Sequence, residues 1–156
     1  MSVKIKRFVS NACLGLGALA LAGCAIPHGG GKVVLSTDQT YPAIGPYSQM
    51  IGHARLVWFS GVIALNKEGT ALVGATTEEQ TRATLENIKL QLHSQGLDFV
   101  DVVSATVYMK DLNDFAAMNR VYAEYFRQAP PVRSTVEVAR IPRDAKIEIA
   151  VIAARR

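Results

Sequence analysis

Between residues 33 and 156 the spacing of apolar residues switches from every second position to every third or fourth and back, twice over, and few folds accommodate that order. "VVLS" (33–36) reads as a short strand, and "ARLVWFSGVIAL" (54–65) as one or two buried strands interrupted by Gly61, followed by a turn at "NKEGT". At Thr77 the pattern becomes helical. Thr77-Glu-Glu-Gln80 has capping-box spacing, Leu85, Ile88 and Leu92 recur on one face, and Gly96 is placed to end the helix. "DVVSATVYM" (101–109) returns to strand. "NDFAAMNRVYAEYFRQ" (113–128) is helical again, with Phe115, Met118, Val121, Tyr122, Tyr125 and Phe126 in a broad apolar stripe that Pro130-Pro131 cuts off. Two strands close the chain, "RSTVEVA" and "KIEIAVIAA", joined by a turn containing Pro142 and Asp144 and read as a terminal hairpin. This order predicts an α+β domain, one sheet with two helices on one face.

The 156 residues suit a single domain. Residues 1–23 are laid out as a secretory signal: a basic start, an apolar run from Ala12 to Ala22 too short to span a bilayer well, then small residues. Leu21, Ala22, Gly23 and Cys24 are similar to the bacterial lipobox, whose cysteine is acylated and becomes the mature N-terminus; the plainer alternative is an ordinary signal peptide with an incidental cysteine. Residues 24–32 would then be the lipidated Cys24 with a Gly-rich tether, and 33–156 the folded domain. Ala25 after that cysteine, by resemblance to enterobacterial lipoproteins, implies the outer membrane, facing the periplasm. With Cys13 lost alongside the signal and Cys24 acylated, the mature domain has neither a disulfide nor a thiol nucleophile. Lys4, Lys6 and Arg7 account for three of the 17 basic groups, set against 13 acids, so the rest of the chain is near neutral. Nucleic acid is therefore not expected as a partner.

Whole classes of chemistry lack a sequence signature. His28 lies in the tether, His53 in an expected loop and His93 near a helix end, none with a ligand partner at i+3 or i+4, so no metal site is predicted. There is no G-x-S-x-G elbow, phosphate loop or dinucleotide fingerprint. What stands out is polar residues in awkward places: Arg133 at the start of a strand, Glu148 inside "KIEIAVIAA", and Tyr47 after a Gly-Pro turn. Singly, Arg133 could be a solvated strand end, Glu148 could alternate outward beside Lys146, and Tyr47 could be a packing aromatic. Together they suit a small acid substrate: a guanidinium fork grips a carboxylate bidentately, and a nearby glutamate can polarise a water.

"AIGPYSQ" (43–49), "SG" (60–61), "ENIK" (86–89), "VYMKDLNDFAAMN" (107–119) and "RSTVEVARIPRDAKIEIAVIAARR" (133–156) together resemble the RidA family, also called YjgF or L-PSP, over residues 36–156. The resemblance implies a chorismate-mutase-like domain with a mixed sheet. It implies homotrimers with sites between subunits, no metal or organic cofactor, and hydrolysis of enamine/imine intermediates such as 2-aminoacrylate and 2-iminobutanoate to 2-oxo acids and ammonia. By position, Arg133 matches the arginine that grips the substrate carboxylate and Glu148 the glutamate that holds the water. Tyr47, Ser60, Asn119 and Thr135 match substrate-site positions, Thr135 standing where the family usually has cysteine. Val62 and Ala150 replace a glutamine and a second acid, which implies a drier pocket or trimer centre. A non-enzymatic carboxylate-binding or chaperone-like trimer and an endoribonuclease are the alternatives the family offers.

Overall fold

The structure is a computed structural model and describes residues 31–156. The signal segment and Cys24 lie outside the described residues, and no helix among those described is long and apolar enough to cross a membrane. The elements are β1 (Val33–Leu35), β2 (Met50–His53), β3 (Leu56–Phe59), α1 (Thr77–Ser94), β4 (Val102–Met109), α2 (Phe115–Tyr125), β5 (Val132–Glu137) and β6 (Ile147–Ala154), with short 3₁₀ turns between some of them. Six strands form one mixed sheet in the order β1-β2-β3-β6-β4-β5. Only β4 and β5 run parallel. The α+β single domain expected from the pattern is what the chain forms.

Three local expectations are corrected. First, β5 and β6 are not a hairpin: β4–α2–β5 is a crossover that lays β5 parallel on the outer side of β4, while β6 inserts between β3 and β4. The physical reason lies in the side chains. β6 buries Ile147, Ile149, Val151 and Ala153 and takes a central place with a neighbour on each side, whereas β5 carries Arg133 and Glu137 and tolerates the edge. Second, "MIGH" is a strand, so His53 ends β2 rather than sitting in a loop; glycine and histidine obscured it, and pairing with β3 decides it. Third, the capping box begins one residue earlier than Thr77. The Thr76 hydroxyl accepts from Glu79 N–H at 3.2 Å, and the Glu79 carboxylate accepts from Thr76 N–H at 2.9 Å. That frees the Thr77 hydroxyl to donate to Asp114, tying the start of α1 to the start of α2.

At the other end of α1, Gly96 adopts φ 68°, and the N–H groups of Gly96 and Leu97 donate back to His93 and Leu92, a Schellman closure. Leu85, Ile88 and Leu92 are fully buried against Val107, Met109, Ile147 and Ile149, so α1 and α2 cover one face of the sheet. Among the described residues no helix lies on the opposite face. There the strand registers align Val34, Ile51, Trp58, Ile152, Ser104 and Val132 in a row across all six strands. Val34 is 64% exposed, Trp58 37% and Val132 73%, so the row is apolar yet open.

Candidate active site

Arg133 and Glu148 belong to opposite faces of this sheet. Arg133 pairs with Ala105, which is buried under the helices, so its side chain runs beneath α2. Its guanidinium carbon lies 4.6 Å from the Tyr122 ring centre and 5.8 Å from that of Phe115, cation–π distances that hold the fork against two rigid walls. Among the described residues no carboxylate pairs with it. Asn119, one turn of α2 away, lines the same depression. Thr135 follows on the same face of β5, with its hydroxyl buried and without a hydrogen-bond partner in the chain. Tyr122 is also buried with an unpartnered hydroxyl, and burial pushes its pKa up to about 12 while the adjacent Arg133 charge pulls the other way.

Glu148 alternates outward between buried Ile147 and Ile149 and projects on the open face. Beyond β3 the chain clips onto β6: Val62 N–H donates to Ile149 O and Ile149 N–H to Val62 O, both at 2.9 Å. That contact lays Gly61 against the Glu148 carboxyl, and a Cβ built on Gly61 would overlap Glu148 Oε1. A side chain at position 61 would therefore displace the Glu148 carboxyl from this seat, while the backbone angle itself does not call for glycine. Burial raises the Glu148 pKa, and no hydrogen-bond donor or cation of the described residues meets its carboxyl group. Tyr41 stands close by. Burial pushes its hydroxyl up to about 12, with smaller contributions from Tyr47 and Glu148, and the hydroxyl accepts from Ile63 N–H at 3.1 Å. Buried Gln49 holds this corner, donating to Tyr41 O at 2.7 Å and accepting from Thr37 N–H at 2.8 Å. Tyr47 is partly exposed, with its hydroxyl accepting from Ile44 N–H at 3.2 Å, and half-buried Ser60 donates its N–H to Gln49 O at 3.0 Å.

The sequence-derived residues thus fall into two groups. Arg133, Asn119 and Thr135 gather under α2, while Glu148, Ser60 and Tyr47 gather around the β3–β6 junction. Arg133 shares a register row with Ala105 and Glu148 shares one with Tyr108, three residues along β4 and on strands two places apart. At ordinary strand spacings the two Cα atoms are roughly 14 Å apart, with side chains pointing away from each other. One subunit alone does not bring Arg133 and Glu148 together. Sequence reasoning missed Tyr41, Gly61 as the seat of Glu148, and Tyr122 as a wall of the Arg133 depression. Tyr122 shares its helical spacing with core residues, and its hydroxyl within an apolar stripe was the only signal. Of the departures noted above, Val62 is buried in the core, whereas Ala150 shares the open face with Glu148.

The family model described as Endoribonuclease L-PSP matches residues 37–155. A RutC family protein of Pyrococcus horikoshii is 45% identical over 122 residues, covering 78% of this chain and 97% of the relative. The 2-iminobutanoate/2-iminopropanoate deaminase of Escherichia coli is 42% identical over 125 residues, covering 78% and 97%. The crystal structure of the YjgF gene product from E. coli superposes with a TM-score of 0.75 at 40% identity, covering 80% of this chain and 99% of that one.

Proposed function

The chain belongs to the RidA/YjgF/L-PSP family, and from that premise we propose that it is a hydrolytic deaminase of 2-imino acids and their enamine tautomers, of the 2-iminopropanoate and 2-iminobutanoate class, working as a homotrimer with its sites between subunits. The observation that carries this reading is the pair of complementary half-sites: an unpaired Arg133 fork fixed on aromatic walls, and an unpaired Glu148 carboxyl, raised by burial, on the opposite face. Docking one half against the other in a neighbouring copy is a heterologous contact, which closes into a ring when the rotation between copies divides the circle. The open apolar row through Trp58 and Ile152 supplies surface for such contact. Three copies is what the family resemblance implies.

In this arrangement Arg133 binds the substrate carboxylate through two parallel hydrogen bonds and so fixes the plane of the imine. Glu148 of the partner subunit accepts a proton from a water and aims its oxygen at C2. The new C–O bond forms as the C=N π pair moves to nitrogen, giving a carbinolamine. Proton transfer to nitrogen and cleavage of the C–N bond then release ammonia and leave the 2-oxo acid. Free imines already hydrolyse in water, so orientation and water placement suffice, and Asn119, Thr135, Tyr47 and Ser60 line the space in which they act. The lipobox-like segment, outside the described residues, sets this chemistry at the cell envelope in our reading.

The test is release of ammonia and 2-oxo acid from imines generated in situ by an amino-acid oxidase, with Arg133→Ala and Glu148→Ala compared against the unaltered protein. Acceleration abolished in both variants is the expected result. A carboxylate-binding trimer would lose ligand in Arg133→Ala alone and tolerate Glu148→Ala, and an endoribonuclease would cleave RNA in the absence of any imine.

A further inference from the structure

We propose that the apolar recess beside Arg133 is a subsite for the substrate's side chain, which makes the site selective for 2-imino acids bearing large apolar side chains, branched aliphatic or aromatic, over those with three or four carbons. The chemical step rests on the deaminase reading; the size preference rests on the recess.

A carboxylate held bidentately by Arg133 has little freedom, because the guanidinium carbon is seated 4.6 Å from the centre of the Tyr122 ring. Fixing the carboxylate fixes the C1–C2 bond, and the substituent on C2 must then run along whatever surface borders the guanidinium. Within the same subunit that surface is a recess of about 370 Å³ walled by Tyr122, Ala123, Phe126, Pro130 and Pro131. Besides the buried Tyr122 hydroxyl, the polar groups of its lining come from Asn119 and Arg133. The volume falls within the range of roughly 300–1,000 Å³ typical of small-molecule pockets, well beyond the needs of a methyl group.

The walls are also stiff. Tyr122 stacks on Phe126 at 4.2 Å with 21° between the rings, and Phe126 meets Phe99 edge-on at 4.9 Å. Pro130 and Pro131 have backbones locked by their rings. Such a recess cannot collapse onto a small substituent, so a three-carbon imine would leave apolar wall in contact with water, whereas a leucine- or phenylalanine-derived imine would cover it.

Ala123 is suited to a test, because it sits exposed on α2, lines the recess and has no polar side-chain group. Two readouts separate the subsite from the chemistry: kcat/KM for imines made from alanine, leucine and phenylalanine, and calorimetric binding of the unreactive 2-oxo acids pyruvate, 4-methyl-2-oxopentanoate and phenylpyruvate. The expected result is a preference of about tenfold or more for the larger member in both readouts, of the size that added methylenes confer in an apolar pocket. Ala123→Trp should cut that large-to-small ratio by about tenfold, and Ala123→Leu should cut it less. A ratio near one, or a ratio unchanged by both variants while their melting temperatures match the unaltered protein, overturns the subsite. If no imine is hydrolysed but 4-methyl-2-oxopentanoate still binds more tightly than pyruvate and Ala123→Trp erases the difference, the deaminase reading falls and the subsite stands.

Discussion

The two faces of the sheet are built from the same strands and alternate residue by residue, yet they do different work. On the helix face, Val107, Met109, Ile147, Ile149 and Val151 are sealed under α1 and α2 and make the core. On the other face, Trp58, Ile152, Val132 and Val34 form an apolar row that no helix of the described residues covers, and Glu148 rises from that surface two residues from Ala150. In the proposed trimer the strand period of two would therefore allot fold to one side and contact plus chemistry to the other. The helix face is not wholly structural, since Arg133 at its edge strand carries the other half of the proposed site. A residue's face, more than its depth, determines which property its loss removes.

The contrast can be broken in four ways, taken from the largest expected effect downward. Glu148→Gln should lower kcat/KM for imine hydrolysis about 10²–10⁴-fold, the range of a lost general base, while leaving the melting temperature at or above that of the unaltered protein. Ile88→Ala, on the sealed side, should do the reverse: stability falls by about 2–5 kcal/mol in denaturant titrations, and the fraction still folded keeps its kcat. Trp58→Asp places a charge in the open row; sedimentation should show dissociation to folded monomers with far less loss of subunit stability than Ile88→Ala. The smallest effect is on pH dependence. Burial raises the Glu148 pKa, so between its unfolded and folded values the folded chain holds a proton that the unfolded chain has released. Stability should fall slightly as pH rises through that window while activity rises, and the acid limb of kcat/KM should lie above the ordinary glutamate value of about 4.3.

Much of this was legible in the sequence, for identifiable reasons. α1 was marked by Leu85, Ile88 and Leu92 at helical spacing and by Gly96 at its end, and α2 by its stripe and by Pro130-Pro131 beyond it. These are local signals, and local interactions satisfy them. Pairing was not legible: nothing in "RSTVEVA" or "KIEIAVIAA" says that β4 lies between them, because register and strand order are set by which strand can be buried on both edges. The β2 strand was missed because Gly52 and His53 have poor strand propensity and only the pairing with β3 holds them. Arg133 and Glu148 were picked out as misplaced charges, but a linear reading put them in one hairpin. Their assignment to opposite faces follows from the parity of register across β5, β4 and β6, which the sequence does not encode locally. Gly61 read as a strand interruption, and only the position of Glu148 explains it.

The most direct measurement mixes subunits of Arg133→Ala with subunits of Glu148→Gln, each inactive alone, and assays the reassembled oligomer. If each site takes Arg133 from one subunit and Glu148 from the next, random mixing at equal amounts restores about one quarter of the sites, because one interface in four joins two intact halves. Activity near that fraction is the predicted result; a mixture no more active than either variant alone would place both groups in a single subunit's site and contradict the division of the site between faces.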